Sequence, residues 1–444
     1  MTNCYSIMLK RSLTLFLALS CTAAYAQKRL TLQDAITRAL KKNYDIRIAE
    51  LTEEQADINN TWVALLPSIN GSAGVTKGTA NTRIEFSDPN RPPTVNPNAG
   101  TRSYNAGVFA SWRVFDGGRM FLVKKQLGAT ERLTEAQLRE QVQTTVSQVI
   151  QAYAQVVFQQ QQGVAIDTGL ALAKVRMTLS QLKFETGTSA KVDYLQARVD
   201  YNERRADSLN QQSFLTSAFA NLNVQMSTDP ELTYIVDDSL ELNMRLRPTN
   251  PDLLDDINLT LDVFRRNAEI SKINARIAKR SYWPTIDFNG GYAYNKSENQ
   301  AGLTLSNQSY GPSGGFNLNL PIFQSGSIRR QAKVASLQAF KDELVYRRQN
   351  TEIGRQYRST WKNYEMSVAA YVLEQENINY ARENMDIQRA RFNVGVATTL
   401  ETREAETSYV TALVRLYTAA YNVKVNETRV LELEGQLVRT NDEE

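Results

Sequence analysis

The chain of 444 residues has no histidine, and its two cysteines, Cys4 and Cys21, both fall in the first 26 residues. Beyond residue 26 it therefore offers no thiol, disulfide or imidazole. Catalytic Cys/His pairs and Cys/His metal sites are excluded there, and no cofactor is implied. It also lacks a dominant charge: 51 Lys+Arg stand against 47 Asp+Glu, and setting aside Lys10 and Arg11 of the leading segment leaves 49 against 47. Nothing in that balance points to nucleic acid as a partner. Finally, no apolar run after residue 26 is long enough for a membrane-spanning helix, so if the chain crosses a bilayer it must do so as strands.

The leading segment, 1–26, reads as a signal peptide. Lys10 and Arg11 precede the apolar stretch Leu13 to Leu19, and Ala24-Tyr25-Ala26 is a small-x-small cleavage site before Gln27. A lipoprotein reading through Cys21 competes with it.

The rest of the chain is written twice. Phe115, Phe184, Gly187, Asp193 and Ala197 recur as Phe323, Phe392, Gly395, Glu401 and Ala405, each pair 208 residues apart, and Tyr153 and Trp361 match at the same offset. An inserted residue would turn everything beyond it by about 100° on a helix, so this gapless stretch suits long continuous helices. Each half reads helix, strand pair, long helix, second helix. The halves are 27–226 and 251–434, joined by an Asp/Pro-rich linker, 227–250, and followed by a tail, 435–444.

In the first half a helix is expected from Leu32 towards Leu66, ended by Pro67. In the second it runs from about Pro251 to Trp283, ended by Pro284. Asn43 to Pro67 and Asn267 to Pro284 differ by seven residues, about two helical turns. Alternation then marks strands. Ile286, Phe288, Gly290, Tyr292 and Tyr294 alternate with Asp287, Asn289 and Asn295, and Phe316, Leu318, Leu320 and Ile322 alternate with Asn317 and Asn319. Tyr104 to Val114 alternates with Asn105, Gly107, Ser111 and Arg113, with Phe109 breaking the polar side. This is the pattern of a membrane barrel, in which Tyr292 and Tyr294 would be interfacial anchors and Asn317 and Asn319 would face the lumen; a soluble half-buried sheet, with Asn317 and Asn319 on its solvated face, shows the same period. Polar loops rich in breakers are expected over 87–93 and about 299–311. Spans 118–185 and 326–393, each 68 residues and about 100 Å as helix, carry a modest heptad stripe: Leu122, Gln126, Ala129, Leu133, Ala136, then Val142, Val146, Val149, Tyr153, Val156. Gly187 and Gly395 break these helices, and shorter ones return over about 189–226 and 397–434.

These features together resemble the TolC-like outer membrane efflux protein family. They are the duplication, Leu66-Pro67-Ser68-Ile69 and Trp283-Pro284-Thr285-Ile286 opening the strands, Phe115-Asp116-Gly117-Gly118 closing them, and the turns Phe184-x-x-Gly187 to Asp193 and Phe392-x-x-Gly395 to Glu401. The resemblance implies a mainly α protein with a small β part. As a homotrimer it would form a twelve-stranded outer-membrane β-barrel continued by a periplasmic coiled-coil tunnel.

Its implied function is that of a passive exit duct, not an enzyme, in a tripartite efflux or type I secretion system. Its implied partners are a periplasmic adaptor (membrane fusion) protein, an inner-membrane pump of RND, ABC or MFS class, and outer-membrane lipid. The family's gate acids fall on Glu401 and Glu404, with Asp193 as a first-repeat equivalent. The helix-hairpin tips at Phe184, Gly187, Phe392 and Gly395 would meet the adaptor. Thr398-x-x-Glu401 also fits a capping box, a purely structural use of Glu401. The family's locking arginine position holds Ala397 here. A secreted structural or adhesive coiled-coil protein without channel activity is the rival reading, which leaves the alternating strand pairs unexplained.

Overall fold

The computed structural model describes residues 29–237, 239–300 and 304–437. The expected signal peptide and residues 438–444 of the tail lie outside the described residues. In order, the elements are β1 (Arg29–Leu30), α1 (Leu32–Lys42), α2 (Tyr44–Asn59), β2 (Ser68–Ile84), β3 (Thr94–Phe115), α3 (Arg119–Glu185), α4 (Lys191–Gln225), β4 (Ile235–Val236), α5 (Leu254–Ile257), α6 (Leu259–Arg280), β5 (Thr285–Asn299), β6 (Ser306–Asn319), α7 (Ser327–Asn393) and α8 (Thr399–Leu433).

The duplication keeps its spacing in the long helices and the turns between them. α3 and α7 are 67 residues each, α4 and α8 are 35 each, and every boundary of one copy lies 208 before that of the other. The register persists past the helices, because Ser227 and Gly435, both at positive φ, are also 208 apart. Of the heptad stripe, Ala129, Ala136, Val146, Val149, Tyr153 and Val156 are buried. Between 145 and 157 burial spreads beyond that stripe to Thr145, Ser147, Ile150, Ala152, Ala154 and Val157, so α3 is packed on more than one side there.

The helices before the strands depart from expectation. The first breaks at Asn43 and ends at Asn59, with a separate 3-10 turn, Val63–Leu65, before Pro67. The second opens as a 3-10 turn, Pro251–Leu253, breaks at Asn258 and ends at Arg280. The asparagines cause the breaks. Asn43 Oδ1 accepts from the amides of Asp45 (2.9 Å) and Ile46 (3.3 Å), while its Nδ2 donates to the Gln225 carbonyl (2.9 Å). Asn258 does the same, accepting from the Leu261 amide (3.0 Å) and donating to the Leu433 carbonyl (2.8 Å). Each side chain thus caps one helix start and satisfies an orphan carbonyl at another helix end. Asn258, not Asn267, is the counterpart of Asn43. The distances to Pro67 and Pro284 then differ by two residues (24 and 26) rather than seven, so the copies are not separated here by two whole helical turns.

The four long strands form one antiparallel sheet in the order β2-β3-β5-β6. Its register sorts the side chains by face. Ile69, Ala73, Val75, Tyr104, Val108, Trp112, Phe288, Tyr292, Tyr294, Tyr310, Phe316 and Leu318 share one face. Ser68, Asn70, Ser72, Asn105, Ser111, Arg113, Asp287, Asn289, Asn295, Ser313, Asn317 and Asn319 share the other. Two strand limits are corrected. β6 ends at Asn319, leaving Leu320 and Ile322 outside it, because Pro321 cannot donate to a ladder. β6 also begins at Ser306, so the stretch from 306 to 311, expected as loop, is strand.

The sheet and adjoining helical segments, 51–136 and 263–349, make one compact unit; the remaining described residues make the second. The second unit is organised around the linker. β4 pairs in parallel with β1 over a core that includes Leu30, Val149, Val156, Leu222, Met226 and Val236. Tyr153 donates to the Leu30 carbonyl (3.2 Å) and accepts from the Asp237 amide (3.4 Å). In the second repeat Tyr364 donates to the Asn243 carbonyl (2.7 Å), and Tyr357 accepts from the Thr249 amide (2.7 Å). Trp361, the sequence match to Tyr153, lies between these two tyrosines, so the hydroxyl role has moved one turn to either side.

Candidate functional site

The turns that join the long helices to the returning ones are built identically. Gly187 and Gly395 sit at φ +71° and +82°, the left-handed region a side chain disfavours. The Thr188 amide bonds the Lys183 carbonyl (2.8 Å) and the Val396 amide bonds the Arg391 carbonyl (2.9 Å). These six-residue closures satisfy carbonyls left open at the helix ends.

The expected gate acids sit just beyond. Glu401 closes a capping box: its carboxylate accepts from the Thr398 amide (2.7 Å) and hydroxyl (2.9 Å), and its own amide donates to Thr398 Oγ1 (3.2 Å). The bonds from the Thr398 amide and then its hydroxyl hold the Glu401 carboxyl below the usual carboxylate range. Asp193, at the matching position of α4, is half-buried and accepts from Ser189 Oγ (2.6 Å). Both are therefore engaged at helix starts. Glu404, one turn further on α8, is exposed.

The two tip aromatics, equivalent in sequence, differ in space. Phe184 is partly exposed and stacks with Tyr194. Phe392 is buried: Lys183 Nζ lies 3.8 Å from its ring centroid and donates to its carbonyl (2.8 Å). Phe392 is thus not a surface contact of the protomer. The apolar side chains that are exposed here are others, among them Val192, Leu195, Val394, Val396 and Leu400. Asn317 and Asn319 lie on the polar face of β6, opposite Asp287 and Thr285.

One cluster has no precedent in the expected sites. Arg176 of α3 is almost fully buried. It donates to Asp200 Oδ2 of α4 (3.0 Å) and to Glu406 of α8. Gln196 Nε2 donates to the other Asp200 oxygen (2.9 Å), and Arg403 stands 3.5 Å from it. Burial pushes the Glu406 carboxyl above its usual range, with Arg176 beside it pulling the other way. The cluster ties three helices together at the wall of a polar cleft of about 260 Å³. A signal existed for it: residues 208 away from these three positions are Asn384, Arg198 and Ser408, so the charge pattern is where the copies differ. Among the described residues no cluster of three or more carboxylates, cysteines or histidines could hold a metal.

The sequence profile of outer membrane efflux proteins matches residues 35–226 and 258–436. The outer membrane protein TolC of Vibrio cholerae is 22% identical over 314 residues, covering 69% of this chain and 71% of that relative. In fold, the chain is similar to the Campylobacter jejuni CmeC outer membrane channel, with TM-score 0.78, 17% identity, and 93% and 87% of the two chains covered. It is also similar to the outer membrane protein VceC of Vibrio cholerae, with TM-score 0.72, 15% identity, and 91% and 96% covered.

Proposed function

Because this chain belongs to the outer membrane efflux protein family, an outer-membrane protein with a helical periplasmic part, we propose that three copies assemble into one continuous exit duct. The observation that carries this is the sheet. It has four strands, two open edges at β2 and β6, one apolar face and one polar face. Open edges are not tolerated in lipid, and single-chain barrels begin near eight strands, so four must be completed by other copies. Three such sheets give twelve strands, with Asn317, Asn319 and Asn289 turned to the lumen and Phe316, Leu318 and Tyr292 to lipid.

The helices α3, α4, α7 and α8 form the wall of the periplasmic tunnel, and the Gly187 and Gly395 turns mark its far end. Glu404, exposed and free of capping duty, is the stronger ring former there. Glu401 and Asp193 contribute charge while holding their helices. The exposed Val394, Val396 and Leu400 join Phe184 as the surface offered to an adaptor. The duct is passive; an inner-membrane pump provides the energy and the choice of cargo. Light scattering of the purified protein, corrected for detergent, is expected to give three chains per particle. A monodisperse, natively folded monomer would overturn the proposal.

A further inference from the structure

Phe109 is the exception on the polar face. It stands opposite Asn70 on β2 and Gly291 on β5, with Ser111 and Gly107 as its same-face neighbours along β3. A phenylalanine there, 43% exposed, leaves apolar area against water that asparagine or serine would not.

The glycines around it show how the ring lies. A Cβ added at Gly291 would come within 2.7 Å of Phe109 Cδ1, and one at Gly107 within 2.8 Å of its Cζ. The two ends of the ring thus occupy the space above two glycines. One face rests on bare backbone and the other is open. Hydrogen-bonding groups flank it: Asn70 sits across the strand pair, and Ser111 Oγ donates to Asn289 Oδ1 (3.0 Å).

We propose that Phe109 is a stacking platform for planar aromatic cargo on the wall of the duct, an open ring on a glycine floor with polar groups at its rim. This rests on the reading that the polar face lines the lumen. A twelve-stranded barrel is wider than the eight-stranded ones that side chains fill, so three platforms leave the bore open and each acts alone. The platform slows and retains flat molecules in transit without selecting against others.

Since Cys4 and Cys21 are the chain's only cysteines, single thiols can be placed cleanly on a Cys4→Ser/Cys21→Ser background of the full chain. Ser111→Cys reports beside the ring, Asn317→Cys reports the polar face away from it, and Leu318→Cys reports the apolar face. A membrane-impermeant methanethiosulfonate is applied to outer-membrane vesicles with caffeine, a neutral planar solute, or with inositol, a saturated solute of similar size. Caffeine is expected to slow modification at residue 111 and not at 317, and inositol to slow neither. Phe109→Leu is expected to raise the protecting concentration about tenfold, in line with the strength of aromatic stacking, while Phe109→Trp keeps it. Protection that is equal in Phe109→Leu, or equal for the two solutes, overturns the platform alone. A reactive Leu318→Cys with unreactive Ser111→Cys and Asn317→Cys overturns the lumen assignment and the platform with it.

Discussion

Replacing Arg176 by methionine removes the cation from a site where its partners stay buried. The Asp200 and Glu406 side chains are 11% and 7% exposed; the partly exposed Arg403 remains near Asp200, and Arg389 still acts on Glu406. Taking one partner from a buried ion pair costs about 3–5 kcal/mol. Three effects soften this: Arg403 can move closer to Asp200, Arg389 still attracts Glu406, and Glu406, already pushed up by burial, can take a proton. A cost of about 3 kcal/mol is expected at pH 8, or about two powers of ten in a local opening constant at about 1.4 kcal/mol per decade. Glu406 also sets the pH dependence. Its folded pKa lies above its unfolded value, so protonation favours the folded state as pH falls. Loss of Arg176 raises that pKa further, so the gap between variant and wild type is widest at alkaline pH and narrows on acidification. Hydrogen exchange of peptides spanning 170–182 and 400–412 reads this opening directly. The triple variant Arg176→Met/Asp200→Asn/Glu406→Gln is expected to recover most of the loss, since no buried carboxylate is then left charged without its guanidinium, and Arg403, which loses Asp200, is partly exposed to water. Exchange in Arg176→Met within threefold of wild type at pH 8 would refute the assignment of the cluster as a tie between α3, α4 and α8.

Further expectations follow from the turns and the tip. Thr398→Ala removes the cap of α8 and is expected to cost about 1 kcal/mol, seen as faster exchange confined to its first turn. In the wild type, the lowered pKa of Glu401 means that this support is present above the ordinary carboxylate range and fades as pH falls through the lowered value, checked by exchange at pH 7 and pH 3. Gly117→Ala is expected to abolish recovery of assembled protein, because its Cβ would lie 2.3 Å from the Cβ of Trp283; Gly118→Ala, at a similar φ but with open space around it, should cost about 1–2 kcal/mol and still assemble. Glu404→Gln is expected to weaken block by a trivalent cation added on the periplasmic side in single-channel recordings, with unchanged thermal stability; unaltered block would remove Glu404 from the gate.

The primary structure by itself determined the elements that depend on near neighbours. Helix phase cannot survive an insertion, so a constant spacing of 208 residues announced paired long helices, and these hold their register from Phe115 to Gly435. Gly187 and Gly395 marked the turns because only glycine takes positive φ without strain there. Strand alternation sorted the sheet faces because side chains alternate with a period of two. What only the tertiary structure decided rests on contacts between distant residues. Asn43 and Asn258 break their helices because each reaches a helix end about 180 residues away. Arg176 finds Glu406 across 230 residues, a separation unrelated to the repeat. Phe184 and Phe392 are equivalent in the sequence and unequal in the fold: Lys183 lies over the buried ring of Phe392, while Phe184 stacks with Tyr194 and stays partly exposed. Duplication fixes local geometry twice over. Two copies packed in one chain meet different neighbours, and burial and charge follow the neighbours.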